Sequence, residues 1–412
     1  MPFPPVAEQL EIIRRDAVDI VPEEELVRKL ERSLRTDQPL RVKQGFDPTR
    51  PDLHIGHAVS LRKLREFQEL GHEVIFVVGD YTAMVGDPTG RSELRPRLSP
   101  EEIAENARTY AEQVFRILDR ERTRVEFNSR WLAPLHLEDI LKLTANYTVA
   151  RMLEREDFSR RYADGTPISL VEFMYPLLQA YDSVALRADV ELGGVDQTFN
   201  LLVARSIQER YEQEPQVCLM MPLLRGTDGV HKMSKSYDNY VGLAQAPEEQ
   251  YGRTMSIPDA LLAEWYELAS GLRGEELRAA LRTAEEEPYR AKRELARRIV
   301  SRYHDESAAE DAAARFDLVH RQRGVPDDIA VVELSGGDPA LAAEGGRVWL
   351  ARLLVRADLA PSTSQAVRLI EQGAVSLNGE RVTEREATVD AAGEHLLQRG
   401  KRHFAKVLFV DR

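Results

Sequence analysis

The chain has 412 residues with 43% hydrophobic and 30% charged side chains, a formal net charge of −13 and one cysteine, Cys218. That length points to two or three domains, and the acidic balance argues against a surface coated with basic residues, though not against local basic patches. A lone cysteine excludes an internal disulfide and a thiolate zinc cluster, and no apolar run reaches the ~20 residues that cross a bilayer. The opening Met1-Pro2-Phe3-Pro4-Pro5 lacks the basic-then-apolar layout of an export signal, so a cytoplasmic enzyme is expected.

In chain order, a helical arm is expected around residues 6–34, then a short strand from Arg41 to Phe46. Asp47-Pro48-Thr49-Arg50-Pro51 is a turn, because proline disfavours helix at the residue before it. Leu61, Leu64, Phe67 and Leu70 recur at helical spacing from about His57, and Gly71 stands where a helix ends. Glu73 to Gly79 is nearly all apolar, as a strand buried on both faces requires. Strand, helix and strand in this order are the unit of a parallel sheet. Ser99-Pro100-Glu101-Glu102 is a capping box that opens a helix to about Asp119, and residues 137–180 read as mostly helical. Apolar runs at Val190–Leu192 and Val217–Leu224 supply later strands, and residues 246–325 are charged and helix-prone. Gly336-Gly337 and Gly345-Gly346 mark residues 326–346 as a linker before a compact tail. Residues 349–412 carry ten Lys or Arg against eight Asp or Glu, a mildly basic tail on an acidic body.

The residues with chemistry fall at the ends of the expected strands. His54 and His57, in Asp52-Leu53-His54-Ile55-Gly56-His57, lie on a turn feeding a helix, where backbone N–H groups and imidazoles meet phosphate oxygens. Gly56 lets the backbone approach a ligand. Far downstream, His231-Lys232-Met233-Ser234-Lys235-Ser236 places Lys232 and Lys235 on a loop. Each element alone is weak, but together they point to groups gathered around a nucleotide triphosphate and hence to an adenylate-forming enzyme. Gly86-Asp87-Pro88-Thr89-Gly90-Arg91 and Leu192-Gly193-Gly194-Val195-Asp196-Gln197 each follow a strand, where open α/β sheets bind ligands. Asp196 is placed to accept from ribose hydroxyls. Tyr175, Gln179 and Asp182 share one helix face in an otherwise apolar segment, as in a polar pocket wall.

On these residues the chain resembles the bacterial tyrosyl-tRNA synthetases, class I enzymes, over nearly its whole length and in the longer subgroup. Gly45-Phe46-Asp47-Pro48-Thr49 with His54-Ile55-Gly56-His57 is similar to the family's first signature, and Lys232-Met233-Ser234-Lys235-Ser236 matches its second. The resemblance implies a Rossmann-like parallel-sheet catalytic domain with a helical insertion (1–242), a helical anticodon-region domain (243–325), the linker (326–346) and a small α+β RNA-binding module (347–412). It implies His54, His57, Lys232 and Lys235 as catalytic residues, with Asp47, Gly56, Gly194, Asp196 and Met233 also at the ATP. It places Thr82, Asp87, Tyr175, Gln179 and Gln197 around the amino acid's polar groups and Asp182 on its phenol. The tail is similar to an RNA-binding module named after a small-subunit ribosomal protein, in which Arg352, Arg368 and Arg381 face a structured RNA. L-tyrosine, ATP and tRNA(Tyr) are the implied substrates and a homodimer the implied assembly. No carboxylate cluster suggests a protein cage, so Mg2+ is expected to arrive on the nucleotide. One position departs from the family: Lys43 stands where its best-known members have a tyrosine as second phenol contact. A tryptophanyl synthetase and a cytidylyltransferase-like enzyme stay open, but the first gives no reason for Asp182 and the second none for the tail. A non-catalytic RNA-binding protein built from a synthetase would be expected to show a decayed nucleotide site.

Overall fold

The computed structural model describes residues 3–49, 51–88, 99–320, 329–335, 341, 345–400 and 403–410, in two compact units, Met1–Glu306 and Ser307–Arg412. Arg50, Thr89-Gly90-Arg91 and Gly336-Gly337, read above as parts of turns and linker, lie outside the described residues.

The first unit is built on a six-stranded sheet of β1 (Asp19–Val21), β2 (Arg41–Phe46), β3 (Glu73–Val78), β4 (Thr123–Phe127), β5 (Val190–Gly194) and β6 (Val217–Met221). Their order is β1-β6-β5-β2-β3-β4, parallel throughout except for β1, which pairs antiparallel with β6. The chain fills β2, β3 and β4 outward and then returns to the other flank of β2 for β5 and β6. The winding therefore reverses between β2 and β5, and a crevice opens at their carboxyl ends, the place where such sheets bind ligands.

Helix α1 (Ile55–Glu69) joins β2 to β3 and buries Leu61, Leu64 and Phe67 at the spacing seen in the sequence. Phe76 of β3 is fully buried and stacks on Phe46 of β2 with ring centres 4.9 Å apart. A one-turn helix α2 (Thr82–Val85) follows β3, and α3 (Pro100–Gln113) opens on Ser99 with both capping-box bonds formed. It stops earlier than expected, in a single 3-10 turn at Val114–Arg116. After β4 come α4 (Ser129–Leu132), α5 (Leu137–Ala145) and the long α6 (Leu170–Leu186), which packs on α7 (Thr198–Arg210). Four further helices follow: α8 (Pro247–Met255), α9 (Leu262–Ala269), α10 (Gly274–Glu286) and α11 (Pro288–Tyr303). Their buried Trp265, Tyr266 and Ile299 belong to the same apolar cluster as Leu61 and Phe76.

The expected helical arm is interrupted. Helices at Val6–Arg14 and Glu23–Thr36 flank β1, whose three residues form an edge strand held by Met220, Leu219 and Cys218.

Helix α12 (Glu306–His320) starts at the last residue of the first unit, and the second unit, from Ser307, continues after it as an α+β module. Strand β7 (Ala330–Ser335), within the stretch expected as linker, pairs in parallel with the last strand. Then follow β8 (Arg347–Trp349), α13 (Leu350–Arg356), α14 (Thr363–Glu371), β9 (Val375–Leu377), β10 (Glu380–Val382), β11 (Thr388–Asp390), β12 (Gly393–Arg399) and β13 (His403–Val410). The main sheet runs β10-β9-β12-β13-β7, and β8 pairs with β11. Asn378-Gly379 turn β9 into β10 with φ of +53° and +87°, the left-handed pair that a two-residue hairpin requires.

Candidate active site

A cavity of about 660 Å³ opens at the carboxyl ends of β2, β3 and β5. All four residues expected to be catalytic line it: His54, His57, Lys232 and Lys235. So do Asp47, Gly56, Gly194, Asp196 and Met233 from the expected nucleotide group, and Thr82, Asp87, Tyr175, Gln179, Asp182 and Gln197 from the expected amino-acid group. Segments as far apart as residues 44 and 237 therefore meet in one space.

At one end, His54 heads α1, and its backbone N–H donates to His57 Nδ1 at 3.3 Å. That bond leaves Nε2 of His57 as the protonated, donating nitrogen. The two rings stack with centres 3.7 Å apart, and an imagined Cβ on Gly56 would stand 3.0 Å from the His54 ring, so a side chain there would crowd it. Burial, reinforced by the ammonium groups of Lys235 and Lys232, pushes His57 down to about 3. Burial, then His57 and the same lysines, push His54 well below the usual imidazole range. Both rings are thus neutral N–H donors near pH 7, and the stability linked to their depressed values is lost only as pH falls below 6.5, for His57 toward about 3. The imidazole NMR signals of His57 are therefore expected to keep their neutral shifts from pH 8 to pH 5.

The lysine loop is anchored from beneath. Met233 is buried, and Asn239 accepts from Ser234 N at 2.7 Å while donating to Asp228 Oδ2 at 3.0 Å and to the Lys232 carbonyl at 3.2 Å. The Lys232 ammonium pairs with Asp196. Lys235 Nζ lies 3.2 Å from the Tyr110 hydroxyl and 5.1 Å from the centre of its ring.

At the other end, Asp47 accepts from the hydroxyls of Thr82 at 2.7 Å and Tyr175 at 2.9 Å. This carboxylate, expected beside the nucleotide, thus also organises two residues of the amino-acid group. Asp87 accepts from Gln197 Nε2 at 2.8 Å and faces Arg155 at 3.6 Å. Asp182 is 4% exposed and accepts from Trp131 Nε1 at 2.8 Å and Asn128 Nδ2 at 3.3 Å. Burial pushes it up to about 7 against the opposing pull of Lys43. Tyr110, Asn128, Trp131, Arg155 and Asn239 carry no sequence motif and escaped the reading of the sequence.

Lys43 does not line the cavity. It is buried beneath, in an ion pair with Glu191 whose Nζ to Oε1 distance is 2.8 Å. Removing one partner of such a pair typically costs about 3–5 kcal/mol, whereas replacing both is often near neutral. Glu191 did leave a signal, as a lone carboxylate in an apolar parallel strand.

In the second unit, Arg368 is exposed on α14. Arg352 on α13 is half-buried and donates to the Leu341 carbonyl at 3.3 Å, and Arg381 donates to the carbonyls of Gly373 at 2.6 Å and Gln372 at 3.3 Å. No helix among the described residues is long and apolar enough to cross a membrane.

A parallel sheet with a histidine turn and a lysine loop on one cavity defines an α/β protein of the class I synthetase type. The chain belongs to the family described as tRNA synthetases class I (W and Y), whose model matches residues 35–321, and residues 331–407 match the tyrosine–tRNA ligase SYY-like C-terminal domain. The tyrosine–tRNA ligase of Moorella thermoacetica is 54% identical over 405 residues, 98% of this chain and 96% of its own. That of Carboxydothermus hydrogenoformans is 49% identical, over 99% of this chain and 100% of its own. The crystal structure of the Archaeoglobus fulgidus tyrosyl-tRNA synthetase complexed with L-tyrosine aligns with a TM-score of 0.60 at 25% identity, covering 75% of this chain and 100% of that one.

Proposed function

We propose that this chain activates L-tyrosine with ATP and transfers the tyrosyl group to the 3′ end of tRNA(Tyr). The observation that carries the reading is the meeting of His54, His57, Lys232 and Lys235 in one cavity that also reaches a buried carboxylate, Asp182. Asp182 accepts the phenol O–H of tyrosine, while Tyr175, Gln179 and Asp87 surround its α-amino group. A carboxylate oxygen of tyrosine attacks the α-phosphorus in line, the bond from that phosphorus to the bridging oxygen breaks, and pyrophosphate leaves with the electron pair. The carboxylate is already a nucleophile, so catalysis consists of positioning and charge stabilisation. His54 and His57 donate N–H groups to the phosphates, and the two lysines meet the charge that develops as pyrophosphate departs. Asp196 exchanges its ion pair with Lys232 for the ribose hydroxyls. A terminal ribose hydroxyl of tRNA then attacks the acyl carbon and AMP leaves. Mg2+ would be carried on the nucleotide's phosphates, where it would supply charge neutralisation.

Tyrosine-dependent exchange of labelled pyrophosphate into ATP tests this reading. Exchange with tyrosine and none with tryptophan is expected, whereas tryptophan acting as well as tyrosine would overturn the substrate assignment.

The domain of residues 243–325 approaches the anticodon region, and the module at 347–412 binds structured RNA through Arg352, Arg368 and Arg381, by backbone and shape rather than base sequence. The protein works in the cytoplasm as a homodimer. Leu137, Tyr162 and Leu170 are 74%, 69% and 81% exposed, and large apolar side chains left bare within one short stretch suit an interface with a second copy. Leu137→Asp with Leu170→Asp is expected to shift the sedimentation coefficient from dimer to monomer, and an unshifted dimer would place the interface elsewhere.

A further inference from the structure

Lys43 stands in a buried polar network that gives it a role. Lys43 on β2 and Glu191 on β5 are direct register partners, each 1% exposed. Glu191 Oε1 accepts from Lys43 at 2.8 Å and from Gln179 Nε2 at 3.1 Å. Glu191 Oε2 accepts from Ser183 Oγ at 3.2 Å and from the Gln216 amide. Gln179 and Ser183 belong to α6 and bracket Asp182, so this buried network grips the helix on both sides of that residue. Gly45, two places along β2 and on the same face as Lys43, lines the cavity and leaves open space where a side chain would stand. Lys43 itself is buried and does not line the cavity, although Gly45 beside it on the same face does.

We infer that Lys43 is the specificity-determining positioning residue for the phenol group: held by Glu191, it keeps Asp182 an anionic acceptor for the phenol O–H. The inference rests on the tyrosine-activation reading above. The charged groups facing Asp182 are Lys43 from β2 and Glu191 from β5, and Tyr175 shares its helix. Asn128, at the head of α4, and Trp131, within it, bring neutral donors. Thr82 of α2 donates to Asp47 and accepts from Asn128 Nδ2, while α7 brings the amide of Gln208 to the Ser183 carbonyl. Burial drives Asp182 toward its protonated form, and Lys43 is the largest influence in the opposite direction, ahead of the opposing charge of Glu191. Protonated, Asp182 would present its own O–H to the substrate, and the advantage of a phenol over a bare phenyl ring would shrink.

The test compares wild type, Lys43→Met and Lys43→Met/Glu191→Gln in pyrophosphate exchange with tyrosine and with phenylalanine between pH 6 and pH 9.5. In wild type, KM for tyrosine is expected to rise as pH falls through about 7. The midpoint should move upward in Lys43→Met and lie between these two in the double variant, which lacks both charges. The tyrosine-over-phenylalanine ratio of kcat/KM at pH 7.5 should fall about threefold in Lys43→Met for a midpoint one pKa unit higher, because the ionised share of Asp182 then drops from about three-quarters to about one-quarter. A fall in kcat with the KM midpoint and the ratio unmoved would mean that the pair serves the fold alone, and would overturn the inference. If Lys43→Met does not fold, the double variant decides, and a midpoint equal to wild type overturns the inference. A wild-type protein that exchanges with no amino acid would instead bring down the functional reading, and this inference with it.

Discussion

Lys235→Ala is expected to slow tyrosyl-adenylate formation by about 10²–10³-fold, the usual cost of losing one donor to transition-state charge, while the Kd for tyrosine stays within about twofold. The two quantities separate because of where the side chain stands. Its ammonium lies against Tyr110 of α3, whereas Asp182, Asn128 and Trp131 form a separate hydrogen-bonded group at the proposed phenol position. Losing Lys235 therefore removes a contact to departing pyrophosphate and none to the amino acid. Single-turnover adenylate formation and equilibrium tyrosine binding measure the two directly. Equal losses in both would place Lys235 in ground-state binding.

Asp182→Asn is the second large effect. A site that accepts a hydrogen bond from a substrate hydroxyl rejects the analogue lacking it, because a buried acceptor is left unpaired; the rejection of phenylalanine by tyrosyl enzymes is the usual illustration of this rule. The amide keeps the shape but offers one acceptor oxygen where the carboxylate has two, so the selection ratio of tyrosine over phenylalanine should fall by about 10–100-fold, the value of one buried charged hydrogen bond. Stability should move the other way. A carboxyl raised from 3.8 to about 7 contributes stability below pH 3.8 and loses it as pH rises through 7. Asn carries no such burden, so the variant's Tm at pH 8 should exceed that of wild type, by calorimetry, while its selectivity falls. Unchanged selectivity would remove Asp182 from the phenol site.

Much of the sheet was legible because parallel strands buried on both faces write continuous apolar runs, as in β3 and β6. α1 was legible from Leu61, Leu64 and Phe67, and its histidine turn from two imidazoles placed before an apolar helix. Strands with weak local signals were not. β1 has three residues and exists only through its pairing with β6. β4 is an edge strand whose Arg124 and Glu126 bond each other, so its apolar content is low. β7 depends on β13, some seventy residues onward, and its neighbouring glycines read as linker.

The cavity was legible for a different reason. Ligand-binding turns of an open sheet gather at the carboxyl ends of its strands, so motifs after β2, β3, β5 and β6 converge once the strand order is known. The residues that orient them were hidden. Asn128 and Trp131 follow an unrecognised strand, and Tyr110 lies in the last turn of α3 with nothing in its neighbours to distinguish it. Glu191 was visible only as a charge out of place, and its meaning needed the register that sets it opposite Lys43.

The most direct measurement is a crystal structure with a non-hydrolysable tyrosyl-adenylate analogue. The phenol oxygen is expected on Asp182, the ribose on Asp196 freed from Lys232, and the α-phosphate between the His54–His57 turn and the lysine loop. An analogue bound with its phosphate away from both histidines, or with its phenol away from Asp182, would contradict this placement.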